Sequence, residues 1–345
     1  MTNHTLVDAP SISVLQSLSP PDGTTRFVNQ VVEGAPAQVS FTFFSWKAAL
    51  FGRYDVFHVH WPELLIRENR PAKAFLRRRA LSALLLRTRL QRIPIVRTVH
   101  NLRPHESGEA AEIRSLDALD ARTDLFIRLN PTTPVEPESK AVTILHGHYR
   151  DRFRTDATPA TVPGRALYFG LIRPYKGIDT LLPVFHSTED PDLQLRVVGR
   201  PSSGLDVVIA AAQSADSRIS SRLEFVADDV LVDEVCQAEI VVLPYREMHN
   251  SGALLVALSL NRPVLVPDSP SNAALADEVG PGWVHRYDGE LSREILETTM
   301  ATVRSRVQPE PPRLDGRDWN ALGEKTYRAY LAVLESTGRR LGARS

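Results

Sequence analysis

The chain has one cysteine in 345 residues, and its 41 Lys and Arg are balanced by 41 Asp and Glu. A single thiol excludes a disulfide framework and points to a reducing compartment. Cys236 lies in the apolar-periodic stretch VLVDEVCQAEIVVL and reads as a small core residue. A formal net charge of zero counts against a general nucleic-acid binder, whose usual footprint is a basic excess. No apolar run approaches the roughly 20 residues that span a bilayer. The opening MTNHTLVDAPSISVL also lacks the charged-then-apolar layout of a secretory signal. A cytoplasmic protein is expected, with any membrane contact peripheral. No G-x-G-x-x-G follows an early strand, which removes the dinucleotide fingerprint of dehydrogenases. Metal-ligand spacing is missing as well. Asp190-Pro191-Asp192 has the D-x-D form, but it falls in a turn at the amino end of the strand LQLRVVG and reads as surface. Neither a metal nor a cofactor is expected.

What the chain does have is alternation. Strand-like runs occur at 11–17, 39–44, 56–60, 93–100, 125–130 and 142–147, with long helical stretches over about 70–91 and 108–121. After a polar, proline-dotted linker at 151–164 the pattern resumes with ALYFG, a helix from Ile178, LQLRVVG, a helix near 204–215, LEFVAD, a helix near 229–237, IVVLPY, a helix near 251–260 and PVLVP. Strands alternating with helices build parallel α/β sheets, and 345 residues suit two of them. The fold class is therefore α/β, as two Rossmann-like doubly wound domains at 1–150 and 165–312, with a last amphipathic helix in 317–345. Ligands of such sheets bind beyond the carboxyl ends of the strands.

Two segments carry most of the chemistry. ALYFGLIRPYKGIDTLLP (166–183) and VVLPYREMHNSGALLVALSLNRPVLVP (241–267) each read as a buried strand, a polar turn and a helix start. Helix starts collect free N–H groups and positive dipole ends, which suit anions. With Gly170, Arg173, Lys176, Glu247, Asn250, Ser251 and Gly252 on these turns, a diphosphate is the expected ligand. Arg173 and Lys176 are placed to neutralise a departing nucleotide, an electrostatic role that is commonly the largest catalytic contribution.

The order Gly170, Arg173, Lys176, Gly177, then LRVVGR, then NSGALLVALSLNRPVLV resembles the donor domain of GT-B glycosyltransferases, particularly the group that includes family 4. The resemblance implies a metal-independent hexosyltransferase with a cleft between its domains and a final helix that crosses back to the first. The chain departs from family 4 where two Glu are usual, eight positions apart. The second position falls on Val256 and the first near Met248, so ribose recognition is left to another residue such as Glu247 or Asp229.

In the first half, His100 ends IPIVRTVH and precedes Asn101 and Glu106. HVHWPE places His60, Trp61 and Glu63 at a neighbouring strand end, and Asp22 follows the first strand. HWPE and TVHNLRPHE look like bacterial exopolysaccharide mannosyltransferases that use GDP-mannose on polyprenyl-diphosphate-linked sugars. That likeness implies a nucleotide-sugar donor and a lipid-linked or other glycan acceptor, with His100 against the transferred sugar. His60, Trp61 and Asn101 would meet the acceptor, and an inverting reaction would take its base from His100, Glu106, Glu63 or Asp22. The segment 67–92 holds nine basic residues and one acidic residue. Arg77, Arg78, Leu81 and Leu85 on its cationic face are the expected contacts with an anionic membrane at the inner face of the cytoplasmic membrane. The alternatives are a helix packed on the sheet with a solvated basic face and, for function, a GT-B sugar-nucleotide epimerase or a non-catalytic sugar-nucleotide-binding partner of another transferase.

Overall fold

The computed structural model describes residues 10–21, 26–101, 109–153, 159–246, 248–305 and 310–339. They form two units, residues 1–146 with 316–345, and residues 147–315. The first unit is built from β1 (Ile12–Gln16), α1 (Arg26–Glu33), β2 (Val39–Phe43), α2 (Trp46–Phe51), β3 (Val56–Val59), α3 (Glu63–Ile66), α4 (Pro71–Leu90), β4 (Ile95–Val99), α5 (Ala110–Arg122), β5 (Leu125–Arg128) and β6 (Ala141–Thr143). Its six strands are all parallel, in the order β2-β1-β3-β4-β5-β6. Near-continuous apolar runs such as IVRTV suit strands covered on both faces. On one face Ile12, Val14, Val56, Val96 and Ile127 pack against Leu322, Tyr327, Tyr330 and Val333 of the C-terminal helix Trp319–Ser336. On the other, Leu15, Phe57, Val59 and Ile95 pack against Ala49, Leu81, Leu84 and Leu119. The final helix thus returns to the first unit, as the GT-B pattern implies.

Helix α4 fits its sequence locally. Pro71 takes the first turn, where its missing N–H costs nothing, and Arg87 and Arg89 sit in the last turn against the negative dipole end. Its faces, however, are the reverse of the expected ones. Leu81 is 1 % exposed and lies in the core, and Leu85 packs against the same cluster. Arg77 is half-buried and engaged within the unit, pairing with Glu68 at 2.9 Å and donating to the Arg67 carbonyl at 2.7 Å. The side chains left outside are Phe75, Leu76, Leu86 and Leu90, the last two 58 % and 74 % exposed. The sequence misleads because both stripes of the helix are leucine-rich, so apolar spacing alone does not say which one meets the sheet.

The second unit repeats the plan with β7 (Arg165–Phe169), α6 (Ile178–His186), β8 (Gln194–Val198), α7 (Leu205–Ala215), β9 (Ile219–Arg222), α8 (Asp228–Cys236), β10 (Ile240–Val242), α9 (Gly252–Ser259), β11 (Val264–Pro267), α10 (Pro270–Val279), β12 (Val284–Tyr287) and α11 (Arg293–Ser305). Its parallel sheet runs β12-β11-β10-β7-β8-β9. Two local expectations are corrected. The strand expected at LEFVAD is ISSR, four residues earlier, because this edge strand buries only Ile219 and so shows no apolar run. Phe153, in the stretch read as linker, is buried in the core of this unit and stacks on Tyr149 with ring centroids 5.7 Å apart. Cys236 is a buried free thiol in that core.

Candidate active site

In the second unit β7 and β10 are neighbours, so the loops that leave their carboxyl ends meet. Gly177 makes the meeting feasible. Its φ of 70° lies in the left-handed region, and a Cβ there would stand 2.0 Å from the Pro244 carbonyl oxygen. Arg246 then ties the loops together: its N–H donates to the Tyr175 carbonyl at 2.9 Å and its guanidinium pairs with Asp179. Lys176 is directed by this frame. Its Nζ lies 4.9 Å from the centre of the Tyr245 ring, a cation–π distance, and 3.8 Å from where a Cβ of Gly170 would be. Gly170, at φ 109°, leaves that space open. Burial, and secondly the charge of Arg173, pull the Lys176 ammonium down from 10.5 to about 8. Two cations on one short turn that destabilise each other are ready for an anion.

Ser251 caps α9, its hydroxyl accepting from the Leu254 N–H at 3.2 Å, and Gly252 opens the helix. Asn250 is half-buried beside them. Glu247 lies outside the described residues. Met248, near the first usual Glu position, packs on the core and its sulfur accepts from Asn272 Nδ2 at 3.3 Å. Val256 is 4 % exposed, in the core, and Asp229 stands exposed in the first turn of α8. Tyr168 and Tyr245, which the sequence did not single out, lie buried beneath the two loops; among the described residues the Tyr168 hydroxyl has no hydrogen-bond partner, and that of Tyr245 interacts with Ser251. Burial raises the pKa of both phenols.

In the first unit the groups of interest stand at the carboxyl ends of three adjacent strands. Gln16 ends β1, His60 and Trp61 follow β3, and His100 and Asn101 follow β4. His60 Nδ1 is 2.9 Å from His100 Nε2, and His60 Nε2 is 3.0 Å from Gln16 Oε1. Alongside, His58 Nδ1 is 2.6 Å from the Tyr330 hydroxyl and its Nε2 is 2.8 Å from Thr98 Oγ1. All of these side chains are buried. Burial holds His58 and His100 well below the ordinary imidazole value, with neighbouring histidines adding to it, and pushes His60 down to about 3. Neutral imidazoles that resist protonation serve as hydrogen-bonding groups rather than as proton stores.

Trp61 lies parallel to His100, ring centres 4.0 Å apart and planes at 18°, so one of its faces is taken by the histidine. Its φ of 40° puts a bulky side chain in the left-handed region, a strained conformation of the kind that clusters at functional sites. Phe27, missed by the sequence reading, meets His100, His146, Trp319 and His60 edge-on or tilted at centre distances of 4.8 to 5.8 Å. Glu63 opens α3 and lines a pocket with Trp61, Arg97, His100 and Asn101, and its carboxylate makes no hydrogen bond or ion pair among the described residues. Asp22 and Glu106 lie outside the described residues. The structure thus brings His60, Trp61, Glu63, His100 and Asn101 together, and separately Gly170, Arg173, Lys176, Ser251 and Gly252.

Among the described residues no group of three or more His, Cys, Asp or Glu is arranged to hold a metal. Asp190 is occupied structurally, its carboxylate accepting from the Asp192 N–H at 2.9 Å and from Arg304 at 3.1 Å. No helix among the described residues is long and apolar enough to cross a membrane.

No family model matches the chain. It is 46 % identical, over 332 residues, to the GDP-mannose:glycolipid 4-beta-D-mannosyltransferase of Xanthomonas campestris pv. campestris, an alignment covering 96 % of this chain and 95 % of that protein. In fold it is similar to the Anabaena protein HepE in complex with UDP-glucose, with a TM-score of 0.65 at 12 % identity over 95 % of this chain and all of the other. It is similar also to a sucrose-phosphate synthase from Thermosynechococcus elongatus, with a TM-score of 0.58 at 15 % identity over 95 % of this chain and 96 % of the other. The chain belongs to the same family as the Xanthomonas GDP-mannose:glycolipid 4-beta-D-mannosyltransferase, on a two-domain GT-B glycosyltransferase fold.

Proposed function

We propose that the protein transfers mannose from GDP-mannose to a glycolipid acceptor, the second unit binding the nucleotide diphosphate and the first supplying the groups that act on sugar and acceptor. The observation that carries this reading is the 46 % identity to the Xanthomonas enzyme across nearly the whole of both chains. GDP-mannose holds its sugar in α linkage, and that relative's name specifies a β product, so transfer of this kind inverts the anomeric carbon. An inverting displacement needs a base. The base takes the acceptor hydroxyl proton, the hydroxyl oxygen bonds to C1, and the C1–O bond to the diphosphate breaks, its electron pair leaving with GDP. Glu63, a carboxylate without a partner beside His100, fits the base among the described residues. Arg173, Lys176 and the N-terminus of α9 fit the leaving diphosphate. Such charge neutralisation does the work a metal ion does in other transferases, and we infer that transfer is metal-independent.

The acceptor is inferred to be a polyprenyl-diphosphate-linked glycan, met at the inner face of the cytoplasmic membrane. What supports this is α4, whose exposed stripe sets Phe75, Leu76, Leu86 and Leu90 among Lys73, Arg79 and Arg89. Arg79 lies 5.2 Å above the Phe75 ring, and the helix has no acidic residue. An apolar stripe with cations alone around it matches an anionic lipid surface. The test is incubation with GDP-mannose labelled in the sugar and a panel of polyprenyl-diphosphate-linked oligosaccharides. Label should pass to the lipid fraction in β linkage, while donor without acceptor stays intact apart from slow hydrolysis. Full conversion of donor alone would establish an epimerase. Tight donor binding with no transfer across the panel would make the protein a non-catalytic partner.

A further inference from the structure

The row Gln16, His60, His100 is buried at the ends of three adjacent strands, and each member makes a different hydrogen-bonding demand. We propose that Gln16 is a positioning residue which, acting through His60, keeps the proton of His100 on Nε2 and makes Nδ1 the acceptor nitrogen of that ring. The inference rests on the reading that His100 acts at the transferred sugar, and it adds what sets the state of that ring.

The logic is one of counting protons. Both imidazoles are held neutral by burial, so each carries a single N–H. His58, His146 and Arg97 lie close enough to His100 to disfavour its charge further. The Gln16 carbonyl oxygen only accepts, so at 3.0 Å His60 must present Nε2–H to it. His60 Nδ1 is then the lone pair, and at 2.9 Å His100 must supply its proton from Nε2. His100 is left with a lone pair on Nδ1. The second ring nitrogen of a histidine is commonly set by the partner of the first, and here the rule operates through two rings in series.

Turning the Gln16 amide over would place its NH2 against His60 and move the His100 proton to Nδ1. Among the described residues Gln16 Nε2 has no partner of standard hydrogen-bond geometry, and the Gln16 side chain interacts with the Tyr330 hydroxyl. The orientation of this amide therefore decides whether His100 accepts or donates through Nδ1.

Gln16→Met tests this, since Met is unbranched and of similar length but offers no acceptor. A buried N–H without a partner is costlier than a buried lone pair, so His60 should move its proton to Nδ1 and the His100 proton should follow to Nδ1. Nitrogen-15 spectra of histidine-labelled protein read the tautomer directly and do not depend on turnover. Wild type should show His100 protonated at Nε2, and Gln16→Met should show the reverse. With transfer active, kcat should fall at least ~10-fold, about 1.4 kcal/mol in barrier, while the donor KM stays within about twofold. Protonation of wild-type His100 at Nδ1 overturns the proposal. So does a Gln16→Met protein that keeps the wild-type tautomer, whatever its kcat. If no mannose is transferred by either protein, the reading of function has failed while the spectra still decide the role of Gln16.

Discussion

Lys176 offers a sharp test of the diphosphate site because its charge is poised. Burial first and Arg173 second lower its pKa from 10.5 to about 8 in the free protein. A bound diphosphate opposes both effects by placing negative charge beside the ammonium, so binding favours the protonated form. The sign follows: affinity is complete below the free-protein pKa and is lost as pH rises through about 8. At pH 7 roughly nine-tenths of the free protein carries the charge, and at pH 9 about one-tenth does. If the complex titrates well above pH 9, Kd for GDP-mannose should weaken about tenfold between pH 7 and pH 9, or ~1.4 kcal/mol. Titration calorimetry at pH 7, 8 and 9 reads this. Lys176→Met is the control: it should bind about 10- to 100-fold more weakly at pH 7, the loss of one charge-assisted contact of ~1.5–3 kcal/mol. Ionisation of the guanine itself would appear equally in both proteins. A wild-type Kd that stays constant from pH 7 to 9, or one that falls off as the variant does, refutes the assignment of Lys176 to the diphosphate.

Glu63→Gln should lower kcat by about 10²–10⁴ with donor affinity unchanged; a variant that turns over normally hands the base role to another carboxylate. Gly177→Ala should destabilise the second unit by at least ~2 kcal/mol, seen in urea unfolding, because it combines a left-handed backbone penalty with a Cβ at 2.0 Å from the Pro244 oxygen. Leu81→Ala should cost ~2–5 kcal/mol of stability, whereas the pair Leu86→Ser and Leu90→Ser should leave the fold intact and release the protein from phosphatidylglycerol vesicles in a sedimentation assay. Persistent sedimentation of the double variant would remove α4 from the membrane reading. Ser251→Ala should cost ~1 kcal/mol as a lost helix cap, measured by thermal melting, and should weaken GDP binding only if the hydroxyl also meets phosphate.

The second unit was the more legible half, for a physical reason. A turn that brings backbone to phosphate needs glycines and cations at fixed offsets, and Gly170, Arg173, Lys176 and Gly177 carry that requirement within eight residues of sequence. What stayed hidden there are the groups beneath the turn. Tyr168 reads as one more apolar strand residue, and Tyr245 as the end of a strand, until the fold sets one under Lys176 and the other beside it. Helix α4 failed in the opposite way: its period was plain but its orientation was not, since only the sheet decides which leucine stripe is covered.

The first unit's site was harder to read because its logic lies between strands. HVHWPE and TVH announce His60 and His100, yet the partner that sets their protons is Gln16, 44 residues away from His60, in a strand whose sequence ISVLQ looks like plain core. Register supplies the link, since β1 lies directly beside β3 and pairs Gln16 with His58. A buried glutamine at a strand end costs free energy unless its amide is used, and here its oxygen meets His60 at 3.0 Å while the side chain also bears on the Tyr330 hydroxyl. The same holds for Trp61, whose left-handed backbone is a cost that an ordinary turn residue would avoid, and which places the ring against His100 at 4.0 Å. Two local penalties that converge on one imidazole support the proposal that the first unit is organised around the state and orientation of His100, with Glu63, which makes no hydrogen bond or ion pair among the described residues, lining the same pocket.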